Sequence, residues 1–341
     1  MKALLLAGGF GTRLRPLTLT RPKPMLPVLN KPHIAHVFDL LQRHGVDEAV
    51  LLTSYLASTF DYLVAEAGGR GMRLEVSQEE EPLGTAGALR HAEAFVGDGT
   101  FLVFNGDVLT DADVGALVAF HREREAEATI LLTPVEDPSI YGVVPTDPDG
   151  RVTAFVEKPP PGTAPTNMIN AGVYVLGPSV LERIPPGRPW SIERATFPEL
   201  VEEGARLFAL PSESYWIDIG TPEKYLQVNL DALAGRVALD GTATERSNVH
   251  GDARVSCSCL GRGVTVGAGA LVADSVLLPG VTVGEGAEVR RSVLGEGVKV
   301  APGAVVAGRT LGDHELAPAA SAGGSQDAPA ASAGGSQEVE G

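Results

Sequence analysis

The chain has 341 residues, 44% of them hydrophobic and 21% charged, with a formal net charge of −16; the length suggests two domains, and the apolar content supplies a core for a soluble globular protein. No apolar stretch reaches the ~18 residues that a membrane-spanning helix requires, and the acidic balance argues against nucleic acid or an anionic membrane as partner. Cys257 and Cys259 are the only cysteines; with no second Cys or His cluster beside them, they read as two small buried residues on a strand rather than a metal or redox pair.

Residues 3–7 are too few for a signal-peptide core and run directly into Gly8-Gly9-Phe10-Gly11, so they predict the first strand of a cytoplasmic protein. Apolar runs at 49–53, 73–76, 101–104 and 129–132 then alternate with helical segments at 32–44, 86–94 and 114–125. Pro32 opens the first helix and Gly45 closes it. Such alternation implies an α/β domain with a parallel or mixed sheet covered on both faces, and ligands bind beyond the carboxyl ends of such strands. Gly8-Gly9 and Asn105-Gly106-Asp107 both follow strand ends and are therefore expected to face one crevice. From 143 to 219 the pattern changes to strands with Pro-rich connections, at 143–145, 152–156, 170–176, 206–210 and 215–219. A helix capped by Thr221, with Pro222 in its first turn, runs to about 233 and ends at Gly235.

After residue 245 apolar residues recur at Leu260, Val266, Val272, Leu278, Val283, Val289, Leu294, Val300 and Val306, at intervals of 6, 6, 6, 5, 6, 5, 6 and 6. A hexapeptide period predicts a left-handed parallel β-helix over 245–312, of under three full turns, suited to packing and oligomerisation. His250 and His314 flank this repeat rather than sitting inside it, which disfavours an acyltransferase. The Ala-Pro-Ala-Ala-Ser-Ala-Gly-Gly-Ser-Gln unit occurs twice, at 317–326 and 328–337, so residues 313–341 are expected to be a disordered tail.

The first loop carries the chemistry. Residues 1–38 hold Lys2, Arg13, Arg15, Arg21, Lys23 and Lys31 and no Asp or Glu. Three glycines after a strand let backbone N–H groups approach an anion, while Thr12, Arg13 and Lys23 add donors and positive charge for a polyphosphate. Leu14 stands where a dinucleotide fingerprint needs its third glycine, and no Gly-Lys-Ser/Thr triplet of a P-loop exists.

The run from Gly8 to Pro16, with Pro22-Lys23-Pro24, resembles the signature of the nucleoside-diphosphate-sugar pyrophosphorylases, the sugar-1-phosphate nucleotidyltransferases. Glu79-Glu80-Glu81-Pro82-Leu83-Gly84, Tyr141-Gly142-Val143-Val144, Phe155-Val156-Glu157-Lys158-Pro159, Ile169-Asn170-Ala171-Gly172 and Trp216-Ile217-Asp218-Ile219-Gly220 follow in the family's order, and together are most similar to its mannose-1-phosphate guanylyltransferase branch. The resemblance implies a Rossmann-like nucleotidyltransferase domain over 1–235, whose later strands form the sugar-binding half. It implies attack by a sugar 1-phosphate on the α-phosphorus of a nucleoside triphosphate, with pyrophosphate leaving.

On that resemblance Leu6, Ala7, Gly8, Gly9, Gly11, Thr12, Arg13 and Lys23 hold the nucleotide, with Arg13 and Lys23 on the triphosphate. Lys158 neutralises the sugar phosphate, and Asn105, Gly142, Glu157 and Asn170 belong to the sugar-phosphate site. Asp107 and Asp218 hold Mg²⁺, which suits an ion that binds through one or two carboxylates and phosphate oxygens. Glu79, Glu80 and Gly84 lie where the base is chosen; a carboxylate accepts from both N1–H and the 2-amino group of guanine, which favours GTP. Mannose 1-phosphate is the default acceptor. Glucose 1-phosphate with thymidylyl or uridylyl transfer, another sugar or cyclitol phosphate, and a catalytically silent nucleotide-sugar sensor remain as alternatives. A homo-oligomer is expected.

Overall fold

The structure, a computed structural model, describes residues 1–54 and 57–319. Strands β1 (Lys2–Leu6), β2 (Glu48–Thr53), β3 (Arg73–Gln78) and β4 (Phe101–Asn105) are parallel neighbours in the order β4-β1-β2-β3. The connections carry α1 (His33–Arg43), α2 (Asp61–Gly69) and α3 (Gly84–His91). No periodicity foretold α2: it is rich in Ala and Gly, and Leu63 and Ala67 are its buried residues. Because both faces of these strands are covered, successive side chains enter different cores. Leu5, Leu51, Leu102 and Phe104 pack with Phe38 and Leu41 of α1, whereas Leu4, Leu52, Phe101 and Val103 pack with Leu89 of α3.

Three further elements follow: β5 (Val108–Thr110), α4 (Val114–Glu123) and β6 (Ala128–Pro134). After them come β7 (Gly142–Val143), β8 (Val156–Glu157), β9 (Met168–Leu176) and β10 (Leu207–Pro211). β9 runs antiparallel to both β4 and β6, and β10 pairs parallel with β6, completing a mixed nine-stranded sheet among the described residues. The strand expected over 152–156 shrinks to β8, with an isolated bridge from Val152 to Thr146. Outside this sheet β11 (Trp216–Asp218) lies antiparallel to β5, with Asp218 opposite Val108. The helix α5 (Pro222–Leu233) follows, its N-terminus capped by the Thr221 hydroxyl.

The C-terminal part has the parallel coils expected of a hexapeptide β-helix, but its phase differs from the sequence reading. Val249, Val266, Val283, Val300 and Ala317 stack at a constant 17-residue offset. The inward residues are Leu260, Val266, Val272, Leu277, Val283, Val289, Leu294, Val300 and Val306, a repeat of six, six and five. Leu277 therefore replaces Leu278 as the anchor, and Leu278 points instead into the contact with the first domain. The short side has a cause. Cys257, Asp274 and Arg291 take left-handed backbone there (φ 43°, 49° and 45°). The Ser258 hydroxyl accepts from the Ser275 N–H, and the Ser275 hydroxyl from the Ser292 N–H, each at 3.1 Å, so a buried serine ladder closes each corner.

Four complete coils form, more than the under three expected: Val249 to Ala317 makes four steps of 17 residues, and the strands before Leu260 and after Val306 belong to the stack. The last strand, Leu316–Ala317, extends beyond residue 312 into the stretch expected to be tail; residues 320–341 of that stretch lie outside the described residues. Cys259 is buried as expected, but Cys257 is exposed, since it occupies the left-handed corner itself. Among the described residues no helix is long and apolar enough to cross a membrane.

Candidate active site

Two adjoining cavities open at the carboxyl ends of β1 and β4. Leu6 pairs with Asn105 across these strands, and the Gly106 N–H donates to the Leu6 carbonyl at 2.9 Å. Gly8-Gly9 and Asp107 thus leave adjacent strand ends together. The first cavity, about 360 Å³, is lined by Leu6, Ala7, Gly8, Gly9, Lys23, Glu79 and Gly84. The second, about 490 Å³, is lined by Arg13, Gly142, Glu157, Lys158, Asn170 and Asp218. Asn105 and Asp107 border both.

Sequence reasoning could not bring Asp107 and Asp218 together, and the β5–β11 pairing does so. The Ile219 N–H donates to the Asp107 carbonyl at 2.8 Å, which brings the backbones of the two aspartates together; Asp107 borders both cavities and Asp218 lines the second. Each is held by a lysine. Lys23 Nζ donates to Asp107 Oδ2 at 2.6 Å. Burial pushes the Asp107 carboxyl up, yet the charge and hydrogen bond of Lys23 lead the effects that hold the group below the usual carboxylate range. Lys224 Nζ donates to Asp218 Oδ1, and the Tyr141 hydroxyl reaches the same oxygen at 2.9 Å. Burial disfavours the Lys224 charge, but Asp218 and Tyr141 raise its pKa above the ordinary lysine value.

Arg13, expected beside Lys23 on the triphosphate, does not line the first cavity with Lys23 but lies on the second, by Asp218. A Cβ at Gly220 would stand 3.5 Å from Arg13 Nη2 and 3.0 Å from Asp218 Oδ2. Lys158, with left-handed backbone (φ 51°), is about half exposed and has Glu157 Oε1 3.6 Å from its Nζ. Asn170 already uses both ends of its amide: Nδ2 donates to the Tyr174 hydroxyl at 2.8 Å, and Oδ1 accepts from the Gly172 N–H at 2.9 Å. A sugar hydroxyl would meet its second N–H or second lone pair.

Of the three consecutive glutamates, Glu79 is buried on the first cavity, with Oε2 accepting from the Leu83 N–H at 2.9 Å. Glu80 and Glu81 are exposed and line neither cavity. Gly84 has positive φ, and a Cβ there would stand 2.8 Å from the Trp190 carbonyl; the tight neighbour is the backbone between β9 and β10. Gly11 and Thr12 line neither cavity: Gly11 begins the one-turn 3-10 helix Thr12–Leu14, and its carbonyl accepts from the Thr18 hydroxyl at 2.7 Å.

The sequence reading singled out neither His33, Lys224 nor Glu193. His33 is buried beneath Asp107 and Lys23, and burial lowers its pKa to about 3, so its imidazole is neutral. Lys224 sits in the first turn of α5, where a cation opposes the helix dipole; that misfit was the available signal. Glu193 Oε2 accepts from the Thr85 and Ser191 hydroxyls at 2.7 and 2.9 Å, tying α3 to the wall of the second cavity. Among the described residues no group of three or more His, Cys, Asp or Glu is arranged as a metal cluster. The two aspartates suit a hard ion that takes its remaining ligands from phosphate and water.

Residues 2–235 match the family described as nucleotidyl transferase, and residues 233–319 match the GlmU-like C-terminal hexapeptide family. The chain is 41% identical over 278 residues to a mannose-1-phosphate guanylyltransferase of Mycobacterium tuberculosis, covering 78% of this chain and 77% of that protein. It is 42% identical over 287 residues to a probable mannose-1-phosphate guanylyltransferase 3 of Oryza sativa subsp. japonica, covering 80% and 78%. Among solved structures, HddC from Yersinia pseudotuberculosis complexed with GMP-PN superposes with a TM-score of 0.58 at 30% identity, over 67% of this chain and 97% of that one. The match over residues 2–235 and these similarities make the chain a member of the nucleotidyl transferase family, with a GlmU-like hexapeptide domain behind the catalytic one.

Proposed function

We infer that this protein transfers GMP from GTP to mannose 1-phosphate, giving GDP-mannose and pyrophosphate. The observation that carries the reading is the junction of the two cavities at Asp107, with the glycine loop and Lys23 on one side and Asp218 and Lys158 on the other. Two anionic reactants meet there, and no covalent enzyme intermediate is needed, so positioning and charge neutralisation supply the rate. Gly8 and Gly9 present backbone to the triphosphate, and Lys23 offers a point charge to the departing pyrophosphate. Arg13 and Lys158 flank the path of the incoming sugar phosphate, the fork of Arg13 being suited to two phosphate oxygens at once. Asp107 and Asp218 would hold Mg²⁺, which when bound draws negative charge from the phosphate oxygens.

For the base, the buried Glu79 carboxylate supports guanine, since its Oε1 and remaining lone pairs can accept from N1–H and the 2-amino group. The likeness to HddC, solved with GMP-PN, points the same way. For the sugar, Glu157, Asn170 and the backbone at Gly142 offer hydroxyl partners, and the names of the 41–46% identical relatives support mannose. We further propose a cytoplasmic homo-oligomer, with the β-helix as the packing module. The test is pyrophosphate release from GTP, dTTP, UTP and ATP against mannose, glucose and other sugar 1-phosphates, with Mg²⁺ or EDTA. GTP with mannose 1-phosphate should be fastest and EDTA should abolish it; a clear preference for another pair overturns the assignment.

A further inference from the structure

The segment between Arg13 and Lys23 leaves the triphosphate loop and returns to it, and on the way it lies against the last coils of the β-helix. Leu17 is fully buried in one cluster with Leu278 and Val293 of those coils. A Cβ at Gly312 would stand 2.9 Å from the Cβ of Pro16, so only glycine lets the coil approach this closely. Arg21 Nη2 donates to Asp313 Oδ2 at 2.9 Å and to Glu296 Oε2 at 2.8 Å. The Thr20 hydroxyl donates to the same Asp313 oxygen, while Asp313 Oδ1 accepts from the Glu296 N–H at 2.7 Å.

This is not a loose surface pair. The side chains of Arg21 and Asp313 are 18% and 8% exposed, and one carboxylate joins two neighbouring residues of the loop to a β-helix backbone N–H. Charge-assisted bonds shared in this way restrict geometry more than a solvated ion pair does. Arg21 therefore spends its charge on the β-helix. Two residues later Lys23 reaches Asp107, and its Cβ would be 3.4 Å from one placed on Gly11.

We propose that the β-helix is a working part of the nucleotide site: through Asp313 and Glu296 it holds Arg21, and through Arg21 the loop that carries Lys23. Arg21 and Asp313 are then positioning residues for the triphosphate. This rests on the nucleotidyl-transfer reading above. It also gives the second domain a task on its own subunit, since a loop displaced by an ångström costs rate steeply.

The experiment uses the full chain with Arg21→Ala, Asp313→Ala, the double variant and Arg21→Lys. It measures GTP affinity by calorimetry, and kcat with KM for each substrate. Each alanine variant should weaken GTP binding and raise KM for GTP by about tenfold, with KM for mannose 1-phosphate within about twofold. The double variant should be no worse than about twofold beyond either single one, because both remove the same link. Arg21→Lys should recover part of the loss. Asp313→Asn, which keeps acceptors for Thr20 and Glu296, replaces Asp313→Ala if that variant does not fold. Unchanged GTP parameters in folded variants of an active wild type overturn the clamp alone. A wild type that neither binds GTP nor releases pyrophosphate overturns the site reading and the clamp with it.

Discussion

Replacing Lys23 with Met tests the electrostatic argument most directly, since it keeps the length and the apolar stem and removes the charge. Lys23 Nζ lies 2.6 Å from Asp107 Oδ2 on the wall of the first cavity. A unit charge about 4 Å from a phosphate oxygen is worth about 1 to 4 kcal/mol between effective dielectric constants of 80 and 20. At 1.36 kcal/mol per decade this is about fivefold to about a thousandfold in kcat/KM. The site lies between water and a dry interior, so a loss of about a hundredfold is expected. A second effect follows from the same contact. Without Lys23 the burial of Asp107 is no longer outweighed, so its carboxyl pKa rises and the acid limb of the pH–rate profile moves up. Steady-state pyrophosphate release from pH 3.5 to 9, with circular dichroism as a folding check, measures both. A folded Lys23→Met protein within threefold of wild type, with an unmoved acid limb, would refute the reasoning.

Other expectations concern the supports of the site and the second domain. His33 is buried and neutral with its pKa lowered to about 3; the unfolded chain takes up that proton near pH 6.5, so its contribution to stability is complete above that pH and is lost as pH falls towards 3. At pH 5 the loss is about 2 kcal/mol; urea midpoints at pH 7.5 and 5 should therefore differ less in His33→Asn than in wild type, and equal differences would dismiss the argument. Glu79→Gln replaces an acceptor-only group with an amide that also presents N–H, and should cut the preference for GTP over ATP by about tenfold, read as the ratio of kcat/KM values. Leu277→Ala opens a cavity in the β-helix core and should cost about 2 to 5 kcal/mol, whereas Leu278→Ala should instead loosen the contact with the phosphate loop. A denaturant melt followed through each domain distinguishes the two.

Much of this protein is written locally in its chain. The alternation of apolar runs with capped helices predicts the α/β sheet, and the strand–glycine loop–cation order places Gly8, Gly9 and Lys23 on one cavity, because adjacent parallel strands end at the same edge. The hexapeptide recurrence likewise announces coils, since each side chain of that period must face one narrow core. The phase of those coils was not legible: the choice between Leu277 and Leu278 depends on a left-handed corner residue and on a serine ladder that joins successive turns. The same holds for the site. Glu79 and Glu80 look alike in sequence, and only the geometry at the end of β3 decides which is buried. Asp107 and Asp218 stand 111 positions apart, and the pairing of β5 with β11 makes them neighbours. Composition and spacing fix which groups a chain carries and how each stretch folds, because those depend on residues a few positions apart. Which groups meet across the crevice, and that Arg21 turns to the β-helix, was decided by long-range packing alone.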